Sequence, residues 1–188
     1  MLSNTYQEAL NNNEAYDGAA MTEIDANAAL AAAEGNLAAA NTAYYRAVSA
    51  LDEARWPFTE AKAEFRRTVR RDSHSTSEWS AARSAVRDAE YTFDAAMVAM
   101  RQTRTACYYA EAEVAVAEAS VATEAWTKAQ VALTNANTEA DKAEAETALN
   151  NAALVNAATA ANAKSALRTA KAKTKADETW AKAKEEKE

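Results

Sequence analysis

FRRTVRRDSHSTSEW, residues 65–79, is the stretch on which this chain is expected to turn back, and a heptad ladder ends on each side of it. The upstream ladder is Leu30, Leu37, Tyr44, Leu51, Phe58 and Phe65, with Ala33, Ala40, Ala47, Ala54, Ala61 and Thr68 three positions after each rung. The downstream ladder is Trp79, Val86, Phe93, Met100, Cys107, Val114 and Val121, followed at the same offset by Ala82, Ala89, Ala96, Thr103, Ala110 and Ala117. Apolar positions alternating three and four apart mark a coiled-coil seam, so both segments are predicted to be long helices. Between them the side chains of Asp72 to Ser77 compete for backbone hydrogen bonds, which favours a turn. Ser75 followed by Glu78 reads as a capping box that opens the second helix.

If the two helices fold back across this turn, facing residue numbers add to a constant. The ladders supply one, 147: Leu30 meets Ala117, Phe58 meets Ala89, Ala54 meets Phe93 and Ala40 meets Cys107. That constant centres the hairpin between Ser73 and His74, whereas a shift by one heptad would move the centre into helix. Large residues facing small ones let two backbones approach closely at interior density. The arrangement resembles the alanine-seam packing called the Alacoil, which is a packing pattern and carries no function.

Two Gly and one Pro among 188 residues leave few turn formers, so helix is favoured nearly everywhere. Pro57 falls inside the first helix, but the ladder keeps phase across it, which predicts a kinked, continuous helix, with a break at Trp56 as the alternative. Beyond Val121 the phase slips to Trp126, Ala129, Leu133 and Ala136, as a stutter produces. Asn135 to Thr138 is the next turn candidate, with Thr138 and Asp141 as a weaker capping pair; the alternative is one very long second helix. A third helix would then carry Leu149, Ala153, Ala160, Ala163, Leu167 and Ala170 inward.

The expectation is all-α: one elongated domain, an antiparallel three-helix coiled-coil bundle with Ala-rich seams. Its parts are a short N-terminal segment (1–18), closed by Gly18, and helices over about 20–71, 76–135 and 138–186. In such a bundle Trp56, Phe58, Tyr91, Phe93 and Trp180 should form one aromatic core layer, and Trp126, Met21 and Ile24 a second. Of the pairs Tyr44 with Tyr45 and Tyr108 with Tyr109, one member each should pack and the other sit at the boundary.

Net charge is −7, which argues against a protein that coats nucleic acid along its whole length. The cations are concentrated, however: residues 54–104 hold ten basic against seven acidic side chains, and 164–188 hold eight against five. Stacking those segments predicts a basic tip at the first turn, built from Arg66, Arg67, Arg70, Arg71, Arg83 and Arg87. Cations in the last turn of a helix also offset its dipole and need no ligand; otherwise such a tip offers contact to nucleic acid, a membrane surface or an acidic protein. A long rod with a basic patch also looks like a BAR domain, but no motif of that family is present. Residues 147–163 carry no charge and 26–45 only Glu34, and both are expected near one height of the rod as self-association faces.

Catalysis finds no motif. His74 is alone in a turn, Cys107 occupies a seam position, and the carboxylate pairs Glu111 with Glu113 and Glu144 with Glu146 point to different helix faces. No catalytic residue, cofactor, metal or small-molecule substrate is expected. The single Cys excludes an intrachain disulfide. The first residues show no secretory signal, and no stretch approaches the roughly 20 apolar residues of a membrane span. A cytoplasmic or virion location is therefore expected. In composition alone the chain resembles phage-type virion and scaffolding components, which are Ala-rich, acidic and helical. That implies a structural, self-associating protein, with a binding module acting through the arginine tip as the alternative.

Overall fold

The computed structural model describes residues 23–70 and 75–185, and it is all-helical, with three helices packed against each other. They are α1 (Glu23–Arg70), α2 (Thr76–Asn135) and α3 (Glu139–Glu185). At 1.5 Å rise per residue they are about 72, 90 and 70 Å long. α1 passes through Pro57 without interruption.

Local chemistry sets the ends. The Ser75 hydroxyl accepts from the Glu78 amide at 3.2 Å, and the Glu78 carboxylate accepts from the Ser75 amide at 2.8 Å, so the capping box that opens α2 is complete. α2 stops at Asn135, and Ala136 leaves in extended conformation. Thr138 then opens α3, its hydroxyl accepting from the Asp141 amide at 3.1 Å.

α2 is the central element. Both α1 and α3 pack on it, and among the described residues α1 and α3 make no contact with each other. Every rung of the two ladders is buried or half-buried, and Ala26 extends the upstream one by a heptad at 1% exposure. As residue numbers rise along α1, those of the ring partners on α2 fall: Phe58 stacks on Phe93 at 5.2 Å between centroids, and Phe65 tilts against Trp79 at 6.2 Å. The core consists of small side chains. Ala33, Ala54 and Thr68 of α1, Cys107, Ala110, Ala112, Ala117 and Ala122 of α2, and Ala145, Ala163 and Ala170 of α3 are buried, and among the described residues no large side chain is fully buried.

Several expectations change once the partners are known. The phase slip after Val121 is a change of partner, because Trp126, Ala129, Leu133 and Ala136 continue the stripe of α2 that faces α3: Arg101, Thr105, Tyr109, Ala112, Val116 and Ala119. On α3 the inward stripe is a polar heptad, Ala145, Leu149, Ala152, Asn156, Thr159, Ala163, Ala166, Ala170, Lys173, Asp177 and Trp180, all buried or half-buried. Ala153, expected to face inward, is exposed. There is no three-helix aromatic layer, since α1 and α3 are separated by α2. Trp56 and Tyr91 are 70% and 78% exposed, lying two positions from Phe58 and Phe93 and hence on other faces of their helices. The layer expected around Trp126, Met21 and Ile24 involves side chains outside those described, as does the N-terminal segment 1–18.

Candidate interaction surfaces

α3 is held to α2 by a clasp of side chains. The Arg101 guanidinium donates to Asp177 Oδ1 at 3.2 Å, and the Thr105 hydroxyl donates to the other oxygen at 2.6 Å. Arg101 also lies over the Trp180 ring, 3.9 Å from its centroid, and its buried Nε has no hydrogen-bond partner. With Arg101 and Asp177 both about 30% exposed or less, the attraction is less screened than in a surface pair. One turn further along the seam, the Thr174 hydroxyl lies 3.0 Å from the Tyr109 hydroxyl. Tyr108 is flanked by Arg104 and Lys173, and at the far end Thr123 meets Asn156 Oδ1 at 2.9 Å. Both Tyr108 and Tyr109 are therefore half-buried, whereas of the other pair only Tyr44 packs and Tyr45 is 69% exposed.

Apolar periodicity does not disclose this clasp. Its signal is present in phase: Asn156, Ala163, Ala170 and Asp177 are seven apart, and polar members of a heptad are invisible to a hydrophobic count.

The arginine tip divides. Arg66 and Arg70 are exposed at the end of α1, and Arg67 pairs with Glu64 at 2.6 Å. Arg83 lies over Trp79, extending the Phe65 and Trp79 contact, and Arg87 is 4.0 Å from Asp88. Arg71 and His74 lie outside the described residues. The two basic segments, 54–104 and 164–188, stack only in part, where Arg101 bonds Asp177 and lies over Trp180. Trp180 is already beside Arg101, so the lysines of 164–175 run along the middle of α2, and among the described residues the tip contains α1 and α2 alone. The physical reason is length: α3, with 47 residues starting from the opposite end, cannot reach the start of the 60-residue α2.

The weakly charged stretches are also offset. Residue 156 lies at the level of residue 123, near one end of α2, while the ladder carries residues 26–45 toward its middle. Along them the exposed apolar side chains are Leu154 (71%) and Val155 on α3 and Tyr45 on α1, with Val131 on the neighbouring part of α2.

Cys107 is buried against the α1 seam. Burial pushes its thiol above the ordinary value, the Glu111 carboxylate one turn away adds to the shift, and a backbone hydrogen bond opposes it. The thiol is thus held protonated, the opposite of an activated nucleophile. Among the described residues no group of three or more His, Cys, Asp or Glu is arranged to hold a metal ion, and no helix is long and apolar enough to cross a membrane.

No protein-family model, curated protein or solved structure matches the chain.

Proposed function

We propose that this is a non-enzymatic structural or assembly protein: an elongated, antiparallel three-helix coiled-coil rod that self-associates, serving as a spacer or scaffold in the cytoplasm or in a virion. The observation that carries this reading is the unfinished burial of the large seam residues. Leu30, Leu37, Leu51, Phe58, Phe65, Val86, Phe93 and Met100 are all only half-buried, because helices laid side by side cover the seam and leave both broad faces open. Full burial of one such side chain is worth about 1.5–3 kcal/mol, and the seam already supplies most of it, so a second layer would add the smaller share that a single chain leaves in water, summed over many residues.

Light scattering over a concentration series tests it. The expected result is a mass that rises with concentration and persists in moderate salt; a strict monomer at high concentration would overturn it.

A second reading has support at the tip, where Arg66 and Arg70 are exposed: a binding module that engages an anionic partner. It requires affinity that falls with salt and with joint replacement of Arg66, Arg67, Arg70 and Arg71 by Gln. Unchanged affinity would end it.

A further inference from the structure

We infer that a second copy of this chain docks on the outer face of α3, antiparallel to it, about a two-fold axis between Val155 and Asn156. This rests on the self-association reading and names its surface.

α3 has two heptad stripes. The inner one faces α2. The outer one is Ala143, Thr147, Asn150, Leu154, Ala157, Ala161, Lys164 and Arg168, again alternating four and three, and every member is exposed. Nothing in the described chain covers it, since α1 lies on the far side of α2. At its centre Leu154 is 71% exposed, and the 17 residues around it carry no charge. The Thr147 hydroxyl already donates to the Ala143 carbonyl at 2.9 Å, so covering it strands no donor.

Charge identifies the occupant. Before the neutral centre α3 carries Glu139, Asp141, Lys142, Glu144 and Glu146; after it come Lys164, Arg168, Lys171, Lys173 and Lys175 without an acid among them. A helix negative at one end and positive at the other, with Glu139 and Glu146 flanking the start of the stripe and Lys164 and Arg168 at its end, is complementary to itself when one copy is reversed, which is the self-complementarity that a two-fold interface requires. With the axis as placed, Leu154 sits over Ala157 of the other copy, Asn150 over Ala161, Glu146 beside Lys164 and Glu139 level with Lys171. Large again meets small, as in the α1 and α2 ladders, and a parallel pairing would instead set like charge on like.

Sedimentation velocity on the full chain reads the dimer dissociation constant for the wild type, Leu154→Glu, Glu146→Lys, Lys164→Glu and the double variant Glu146→Lys/Lys164→Glu. Leu154→Glu should weaken the dimer roughly tenfold or more. Each single reversal should weaken it about threefold or more, since it sets like charges together at both ends, and the double reversal should restore it. Circular dichroism checks that helix content is unchanged; if Leu154→Glu unfolds, the reversals, which lie at exposed positions, decide the outcome. Association that ignores all four variants would overturn this face and leave self-association standing. Weakening by both reversals without recovery in the double variant would overturn the antiparallel register. A wild type that stays monomeric would overturn both readings.

Discussion

Gly35 sits inside α1 with no side chain of its own, and a Cβ built there meets nothing within 4 Å. Its cost is backbone entropy alone. Gly35→Ala should therefore stabilise the chain by about 1 kcal/mol or somewhat less, read as a rise in thermal midpoint; a loss of stability would mean that α1 needs the glycine for something the packing does not show. Cys107 makes the contrary case of a residue whose surroundings decide everything. With its thiol pushed above the ordinary value of 9.0, a disulfide reagent should react slowly at neutral pH and speed up only in strongly alkaline solution or on unfolding. The linkage has a definite sign. A raised folded-state value means the neutral thiol is the favoured native form, so its contribution to stability is complete below the ordinary thiol value and is lost as pH climbs through the higher one. Rapid labelling of the folded chain at pH 7 would contradict the burial.

At the scale of the element, the seams are built from alanine where most helical proteins use leucine. Ala112 and Ala170 are 1% and 0% exposed, and both lie within a turn of the bond between Tyr109 and Thr174, so α2 and α3 approach closely there. Close approach gives the clasp its geometry, because short side chains such as Thr105 and Asp177 meet only when backbones are near. Ala170→Leu should force the helices apart and cost about 1–3 kcal/mol in denaturant unfolding, whereas the same change at exposed Ala153 should have little effect. Equal effects at the two positions would show that the inward stripe of α3 has been misplaced. The turns were legible from composition: Ser75 with Glu78, and Thr138 with Asp141, place donors and acceptors within four residues of one another, and such chemistry depends on little outside itself. The inward stripe of α3 was not, since Asn156, Thr159, Lys173 and Asp177 among its members are polar and most of the rest are alanine.

At the scale of the molecule, the three described helices form a layer with α2 in the middle. Opening α2 over its doubly covered part requires losing both seams, and Cys107, Ala110, Ala112, Ala117 and Ala122 fall there. Amides of residues 107–122 should be the slowest to exchange with deuterium, slower than those of α3, which is held from one side. If α3 exchanged as slowly, an additional contact would have to cover it, and exchange measured at low and high protein concentration would tell whether that contact is a second copy. The layer also explains why the arginine tip and the lysines of α3 do not merge into one basic surface, though they are neighbours in any scheme that bundles three equal helices.

The sequence by itself determined that the chain is helical, where its helices are capped, and which stripes of α1 and α2 lie inward, because periodicity and capping are local properties written within a few turns. Only the tertiary structure decided that, among the described residues, α3 packs on α2 and not on α1, and which of its faces turns inward. An alanine-rich helix offers several nearly equivalent faces, so apolar pattern cannot choose among them. The choice is made by a few polar contacts across more than 70 residues of chain, Arg101 and Thr105 to Asp177 above all, and these have no meaning until the helices are side by side.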